Sequence, residues 1–392
     1  MAEAYIVAAA RTAGGRRNGR LSGWHPADLA AQVLNELVQR ADVDPALIED
    51  VILGCVSQAG EQATNIARNA VLASNLPESV PATTIDRQCG SSQQALHFAA
   101  QAVMSGSMDI VIAAGVESMS RVPMGMPVSL PLKNDLGYYV SPGMQQRYRG
   151  GDFSQFSGAE AIARNYGISK EQLDQYALRS HQLAGAATRA GKFDSEIISV
   201  PVRIIEGHAP NELHRFDEGI RFDASLEGIA NVKLLQEGGR ISAANASQIC
   251  DGASGVLVVN ERGLKRLGVE PLARVHQMTV LGHDPVVMLE APIPATQLAL
   301  KKAGLNIADI DLYEVNEAFA PIPLAWLQAL GADPARLNVH GGAIALGHPL
   351  GASGTKLMTT LLYALKDRGK RYGLQTMCEG GGLANVTIIE RL

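Results

Sequence analysis

The chain has 392 residues, more than the roughly 100–200 of a single domain, which excludes one small module. Hydrophobic residues make up 46% and charged ones 19%, too apolar for a disordered chain and enough for a large core. A formal net charge of −5 gives no electrostatic footprint for nucleic acid, and 40 glycines point to tight turns or close backbone approaches.

In chain order, the N-terminal run Met1 to Arg11 reads as a first strand, because Glu3 precedes its apolar stretch and no basic leader or cleavage site follows. The basic cluster Arg16, Arg17 and Arg20 reads as solvated loop. Pro26 to Ala41 has the period of a helix, and Asp50-Val-Ile-Leu-Gly54 that of a buried strand. A helix follows over Ser91–Met104, then a strand over Asp109–Gly115. Later strands read over Gly255–Asn260, Asp311–Val315 and Ala384–Glu390, with a helix over Ser353–Asp367. Strands alternating with helices predict the α/β class.

The pattern repeats. Asp44 to Gly54 and Asn306 to Val315 each carry a short helical turn running into an acid-flanked strand. About 34 residues later each is followed by a glycine- and serine-rich turn opening a long helix, Cys89-Gly-Ser-Ser in one case and His348 to Gly354 in the other. Each then reaches a strand ending in glycine, at Gly115 and Gly380. These landmarks predict a divergent tandem duplication. The predicted division is 1–120 with 250–272 as one half, 273–392 as the other, and 121–249 as an inserted loop domain. The insert keeps apolar residues and a helix pair (Gly158–Asn165, Lys170–Arg189), so it reads as a lid over a ligand site rather than a linker.

The four cysteines, Cys55, Cys89, Cys250 and Cys378, form no C-x-x-C pair, which argues against a zinc ribbon or a disulfide framework. With no run of about 18 apolar residues, they read as reduced thiols of a soluble cytoplasmic protein. No permanently bound cofactor, metal or membrane contact is expected.

Cys89 stands at the turn into a helix, where a helix N-terminus favours thiolate, so it is a candidate nucleophile as well as a candidate buried thiol. Asn338 to Gly354 holds five glycines in seventeen residues around His348, at the corresponding turn of the second half. Pseudo-symmetry would bring that histidine near Cys89 as its base. The run lacks G-x-S-x-G, G-x-G-x-x-G and a phosphate loop, which removes the usual support for hydrolase, dehydrogenase and nucleotidase readings. Cys378 ends another strand ahead of Gly380, Gly381 and Gly382, whose backbone N–H groups can approach an oxyanion, and Asn316 offers an amide at a neighbouring strand end.

Together these residues resemble the thiolase family over the whole chain. Cys89-Gly-Ser-Ser with Ala95, Gly115 to Ser120, Asn245-Ala-Ser247 with Asp251 to Ala253, Asn316-Glu-Ala-Phe319, Gly341-Gly through Pro349, and Cys378 to Gly382 stand in the family's order. The resemblance implies the thiolase fold: two pseudo-symmetric α/β halves in a five-layer αβαβα core with an inserted loop domain. It also implies a reaction, the CoA-dependent cleavage of a 3-oxoacyl-CoA through an acyl group on Cys89. His348 would activate Cys89, and Cys378 would be the second acid and base. Asn316, through a water, and His348 would hold the enolate, while the N–H groups of Cys89 and Gly380 would hold the tetrahedral oxyanion. Coenzyme A enters as substrate, with Ser247 and Arg221 matching positions that touch it and Met288 matching a pocket residue. The family forms homodimers and homotetramers, a tetramer contact being expected over Arg121–Arg149.

Departures bear on the substrate. Short-chain members carry His-Met-Gly where this chain has Phe156-Ser-Gly158, Asp86 replaces asparagine, and Ala244 replaces glycine. Methionine to serine removes roughly 60 Å3, room for a branch or ring edge unless Phe156 refills it. A degradative enzyme for longer, branched or cyclic acyl groups, similar to steroid-type thiolases, is expected. A biosynthetic acetyl-CoA acetyltransferase and a non-catalytic CoA-binding scaffold are the alternatives. A decarboxylating condensing enzyme would need a second histidine, whose place Asn316 takes.

Overall fold

The computed structural model describes residues 2–149, 151, 153–205 and 207–392. Met1, at the head of the predicted first strand, and Gly150, Asp152 and Glu206, within the predicted insert, lie outside the described residues.

The first half runs β1 (Tyr5–Thr12), α1 (Pro26–Arg40), β2 (Asp50–Gly54), β3 (Ala82–Ile85), α2 (Ser91–Met104) and β4 (Ile110–Ser118). Pro26 starts α1 with a preset φ, and the His25 ring accepts from the Ala27 N–H. Leu29, Val33, Leu34 and Leu37, spaced three and four apart, turn one face of α1 inward. The insert carries α3 (Gln155–Asn165) and α4 (Lys170–Arg189), the latter opened by a Ser169–Gln172 capping box. The chain continues through β5 (Cys250–Val259), β6 (Ala273–Gly282), α5 (Pro292–Ala303), β7 (Leu312–Val315) and α6 (Pro321–Leu330). It ends with α7 (Ser353–Asp367), β8 (Tyr372–Glu379) and β9 (Leu383–Glu390).

The strand order is β7-β8-β9-β6-β1-β5-β4-β2-β3. In one half β2 is parallel to β3 and β4, β4 antiparallel to β5, and β5 antiparallel to β1. The other half repeats this: β7 is parallel to β8, β8 antiparallel to β9, and β9 antiparallel to β6, with Leu337 bridging Tyr313 in parallel where β3 flanks β2. The halves join through a short antiparallel pairing, Tyr5 with Arg274 and Ile6 with Ala273.

Both faces of each half-sheet are buried, so strand residues alternate between two cores. Val51 and Leu53 face α1 and the helix Ile66–Leu72, whereas Ile52 faces inward with Ala95, Leu96 and Ala99 of α2 and Met358, Leu361 and Leu365 of α7. On the far side Val315, Leu374 and Val386 pack on α5, α6 and the insert's α3 and α4. Helices, sheet, central helices, sheet and helices give five layers, as expected. The central helices meet at their N-terminal ends: a Cβ on Gly354 would lie 2.1 Å from the Gln93 backbone nitrogen, and the Thr355 N–H donates to Ser92 Oγ at 3.0 Å. The turn between β3 and α2 lies against the end of β8, through Gly90 and Glu379, and the turn before α7 against the end of β4, through Gly351 and Glu117.

Some elements depart from the sequence reading. β5 starts at Cys250 rather than Gly255, because Cys250-Asp-Gly-Ala-Ser254 lacks an apolar run although every residue is buried. The stretch after Arg121 holds, beyond the predicted helix pair, short helices Met126–Lys133, with Pro131 inside it, and Pro142–Arg147. Arg16 and Arg20 are solvated as read, with Arg16 69% exposed, while reaching Glu218 and Glu212 across the turn after β1.

Candidate active site

Cys89 immediately precedes Gly90, the N-terminal cap of α2, and follows Gln88, which has a left-handed φ of +50°. Asp86 Oδ1 accepts from the Gln88 N–H at 2.7 Å and fixes this turn. Cys378 is the last residue but one of β8. The residues flanking the two cysteines interlock. A Cβ on Gly380 would lie 2.8 Å from Gln88 Oε1, and one on Gly90 would lie 1.8 Å from Glu379 Oε1. Cys89 and Glu379 both raise the Cys378 pKa, so the two thiols share one field.

Burial overrides the helix terminus at Cys89. Desolvation first, then the Glu379 carboxyl, pushes this thiol up to about 12, and Cys378 is likewise raised by desolvation. Both cysteines are therefore thiols at neutral pH, and a nucleophile here needs a base.

The His348 ring is held in one tautomer. Its Nδ1 lies 2.5 Å from Ser353 Oγ, and that hydroxyl donates its single proton to the Pro349 carbonyl at 2.9 Å. Nδ1 must then carry the ring proton, which makes Nε2 the acceptor nitrogen. Nε2 accepts from the Asn316 amide nitrogen at 3.3 Å. Desolvation, with the Lys356 cation adding to it, lowers the His348 pKa to about 3, so the ring is neutral. Lys356 also clamps the turn, donating to the Leu346 and Gly347 carbonyls at 3.1 Å each. Asn316 stands at the end of β7, where its N–H donates to the Thr376 carbonyl at 3.0 Å, two residues before Cys378. Its Oδ1 is buried with no partner among the described residues, an acceptor open to a water or substrate group.

Ser247 joins this constellation through its backbone. Its N–H donates to the Ala318 carbonyl at 2.9 Å, the Ala320 N–H to the Asn245 carbonyl at 2.9 Å, and the His348 N–H to the Gln248 carbonyl at 3.1 Å. The 245–248 loop thus ties the Asn316 turn to the His348 turn. Met288, 5% exposed, packs in the buried cluster that contains Cys378, Phe319 and Ala159. Phe156 stands 45% exposed, edge-on to Phe319 with ring centroids 5.6 Å apart. Arg221 instead lines a cavity of about 200 Å3 with His181, Ser225, Ala243, Ala244 and Ile344. Arg11, fully buried, binds Asp217 and Glu196 and so pins the loop leading to Arg221 against β1.

Sequence reading did not single out Ser353, Lys356 or Glu379. Ser353 carried a signal, standing five residues after His348 at the start of a helix. Lys356 carried one too, as the lone charge between Ser353 and Leu365 of α7. Glu379 interrupts a run of small residues after Cys378.

Comparison with known proteins agrees with this architecture. The family model for the thiolase N-terminal domain matches residues 4–262 and that for the thiolase C-terminal domain residues 269–391. A steroid 3-ketoacyl-CoA thiolase of Mycobacterium tuberculosis is 52% identical over 394 residues, covering 100% of this chain and 95% of the relative. A 3-ketoacyl-CoA thiolase of Yersinia pestis is 42% identical, covering 100% of both. The crystal structure of the Bacillus anthracis acetyl-CoA acetyltransferase superposes with a TM-score of 0.90 at 34% identity, covering 100% of this chain and 99% of the other. With paired sulfurs, a neutral histidine and a strand-end asparagine set on a duplicated α/β core that both family models match, the chain belongs to the thiolase family.

Proposed function

We propose that the protein is a degradative thiolase that cleaves bulky 3-oxoacyl-CoA thioesters, and that the site residues divide the work as follows. Cys89 loses its proton to His348 Nε2 and attacks the 3-oxo carbonyl. The tetrahedral oxyanion lies against the N–H groups of Cys89 and Gly380. Collapse breaks the bond between the second and third acyl carbons, leaving the shortened acyl group on Cys89 and the acetyl-CoA enolate against protonated His348 and a water on Asn316. The Cys378 thiol protonates that enolate, and acetyl-CoA leaves. Cys378, now thiolate, takes the proton of incoming coenzyme A, whose sulfur attacks the acyl-enzyme. Cys89 departs and recovers its proton from His348. Each oxyanion donor is worth about 10²–10³ in rate.

The observation that supports this reading is the interlock of Gln88 and Gly90 with Gly380 and Glu379, which brings together the segments flanking the two thiols, Cys378 buried and Cys89 partly exposed. The cavity at Arg221, with Ser247 on its adjoining loop, suits the nucleotide and pantetheine of coenzyme A, and Met288 borders the acyl side. A half-exposed Phe156 backed by Phe319 offers an aromatic wall, which supports cyclic or steroid-derived acyl groups. The 52% identical relative named a steroid 3-ketoacyl-CoA thiolase points the same way. Coenzyme A acts as substrate, with no resident cofactor. We also propose the 1–120 plus 250–272, 121–249 and 273–392 division, a homodimer or homotetramer with any tetramer contact through residues 121–149, and a reducing cytoplasm that keeps both sulfurs as thiols. Among the described residues no helix is long and apolar enough to cross a membrane.

The test is a thiolysis panel comparing kcat/KM for acetoacetyl-CoA, a linear long-chain, a 2-methyl-branched and a steroid-derived 3-oxoacyl-CoA. Highest kcat/KM on a ring-bearing substrate is expected; preference for acetoacetyl-CoA would contradict the bulky-substrate reading.

A further inference from the structure

One buried acid next to the sulfurs has no part in the steps above. Glu379 follows Cys378 at the end of β8, and its side chain lies against α2, with Oε1 occupying the space a Cβ on Gly90 would need. That contact sets the carboxyl beside the backbone that immediately follows Cys89. The carboxyl is poorly satisfied for its depth. Asn385 of β9, in the orientation that satisfies its amide, donates to Oε1 at 3.1 Å, while Oε2 is buried with no partner among the described residues. A cation facing it is Arg87, from the same turn as Cys89, and the Arg87 Nε is also buried without a partner among the described residues. The other acids that face Cys89 are Glu117 of β4 and Asp86.

Resting on the reading of Cys89 as nucleophile and Cys378 as acid and base, we propose that Glu379 is a positioning residue for the reaction, acting through the charge it presents to both sulfurs. As a neutral carboxyl it lets the thiols ionise when the reaction demands it. As a carboxylate it places a negative charge where each thiolate must form and holds both sulfurs protonated.

The physical conditions suit that role. Burial raises the Glu379 pKa to about 8, Arg87 opposing the shift, so the carboxyl is neutral through the neutral range and ionises just above it. Glu379 raises the pKa of Cys89 and of Cys378 in turn. A carboxylate with fewer buried hydrogen bonds than it can accept is also the costly form, which keeps the proton on until alkaline pH.

The experiment measures iodoacetamide alkylation of Cys89, located by peptide mass spectrometry, against pH in the wild type and in Glu379→Gln, an isostere of the neutral form. Alkylation reads the sulfur itself and does not depend on thiolysis. The ratio of variant to wild-type rate is expected near one at pH 6.5 and to climb about tenfold above pH 9, where the wild type carries the extra charge. A ratio that stays flat, or a uniform loss in the variant, would overturn the proposal. If Glu379→Gln does not fold, Arg87→Met decides: removing the facing cation should move the wild-type inflection to higher pH, and an unmoved inflection would overturn the proposal. Either failure leaves the assignment of Cys89 and Cys378 to be judged separately by their own substitutions.

Discussion

The His348 ring is locked by Ser353: Nδ1 gives its proton to a hydroxyl 2.5 Å away that has already committed its own proton to the Pro349 carbonyl. The lock selects the tautomer with Nε2 unprotonated, the nitrogen that accepts from the Asn316 amide at 3.3 Å. Ser353→Ala removes the acceptor and lets the proton move to Nε2. We expect kcat to fall about tenfold to a hundredfold with KM little changed, within the range a general base contributes. A wild-type kcat in this variant, measured by thiolysis of a preferred substrate, would show that the tautomer is held by something else.

The pH dependence follows from the sign of the His348 shift. Desolvation disfavours the imidazolium and lowers the pKa to about 3, so the base is already neutral throughout pH 5–9 and is lost only as pH falls towards that value. The kcat/KM profile for thiolysis should therefore show no acid limb near the usual histidine pKa of about 6.5. An acid limb at that position would mean that the imidazole ionises freely and is less buried than the structure has it.

Lys356 holds the His348 turn through two carbonyls, those of Leu346 and Gly347. Lys356→Met keeps the length of the side chain but strands both acceptors in a buried site, at about 1–3 kcal/mol for each. Thermal unfolding should register that loss, and kcat should fall further than a distant substitution of equal destabilisation would cause. Lys356→Arg, which restores the donors, should recover most of both. Equal kcat in Lys356→Met and wild type would remove Lys356 from the account.

The meeting of the two central helices depends on Gly354. A Cβ there would stand 2.1 Å from the Gln93 backbone nitrogen, too close for any rotamer to relieve. Gly354→Ala must push α7 from α2 and should cost about 1–3 kcal/mol or more, read as a lowered Tm, with activity falling because both turns bearing Cys89 and His348 shift. An unchanged Tm would show that the halves are not packed as tightly as described.

Much of this was legible beforehand, and the parts that were not share a cause. α2 and α7 announced themselves by period, and the buried strand β2 by a continuous apolar run. Ordered landmarks in each half foretold a repeat that the strand pairings display. The start of β5 was hidden because Cys250 to Ser254 are small or polar residues buried by neighbours rather than by their own hydrophobicity. Cys89, His348, Cys378 and Asn316 stood out because each sits at a turn with a chemical side chain. Ser353, Lys356 and Glu379 did not: the first two act only once the His348 turn folds back on the start of α7, and Glu379 through a tertiary contact with the glycine that caps α2. The helix-terminus argument for a Cys89 thiolate was outweighed by burial, which leaves the sulfur protonated until a base acts.

The central claim is that Cys89 carries the acyl group and Cys378 moves the proton. Intact-mass analysis after mixing with acetyl-CoA, paired with acetoacetyl-CoA cleavage rates, tests it most directly. Cys378→Ala should gain one acetyl group slowly on Cys89 and cleave no acetoacetyl-CoA, while Cys89→Ala should gain none and cleave none. Cleavage by Cys378→Ala at the wild-type rate, or an acetyl group on Cys89→Ala, would contradict the account.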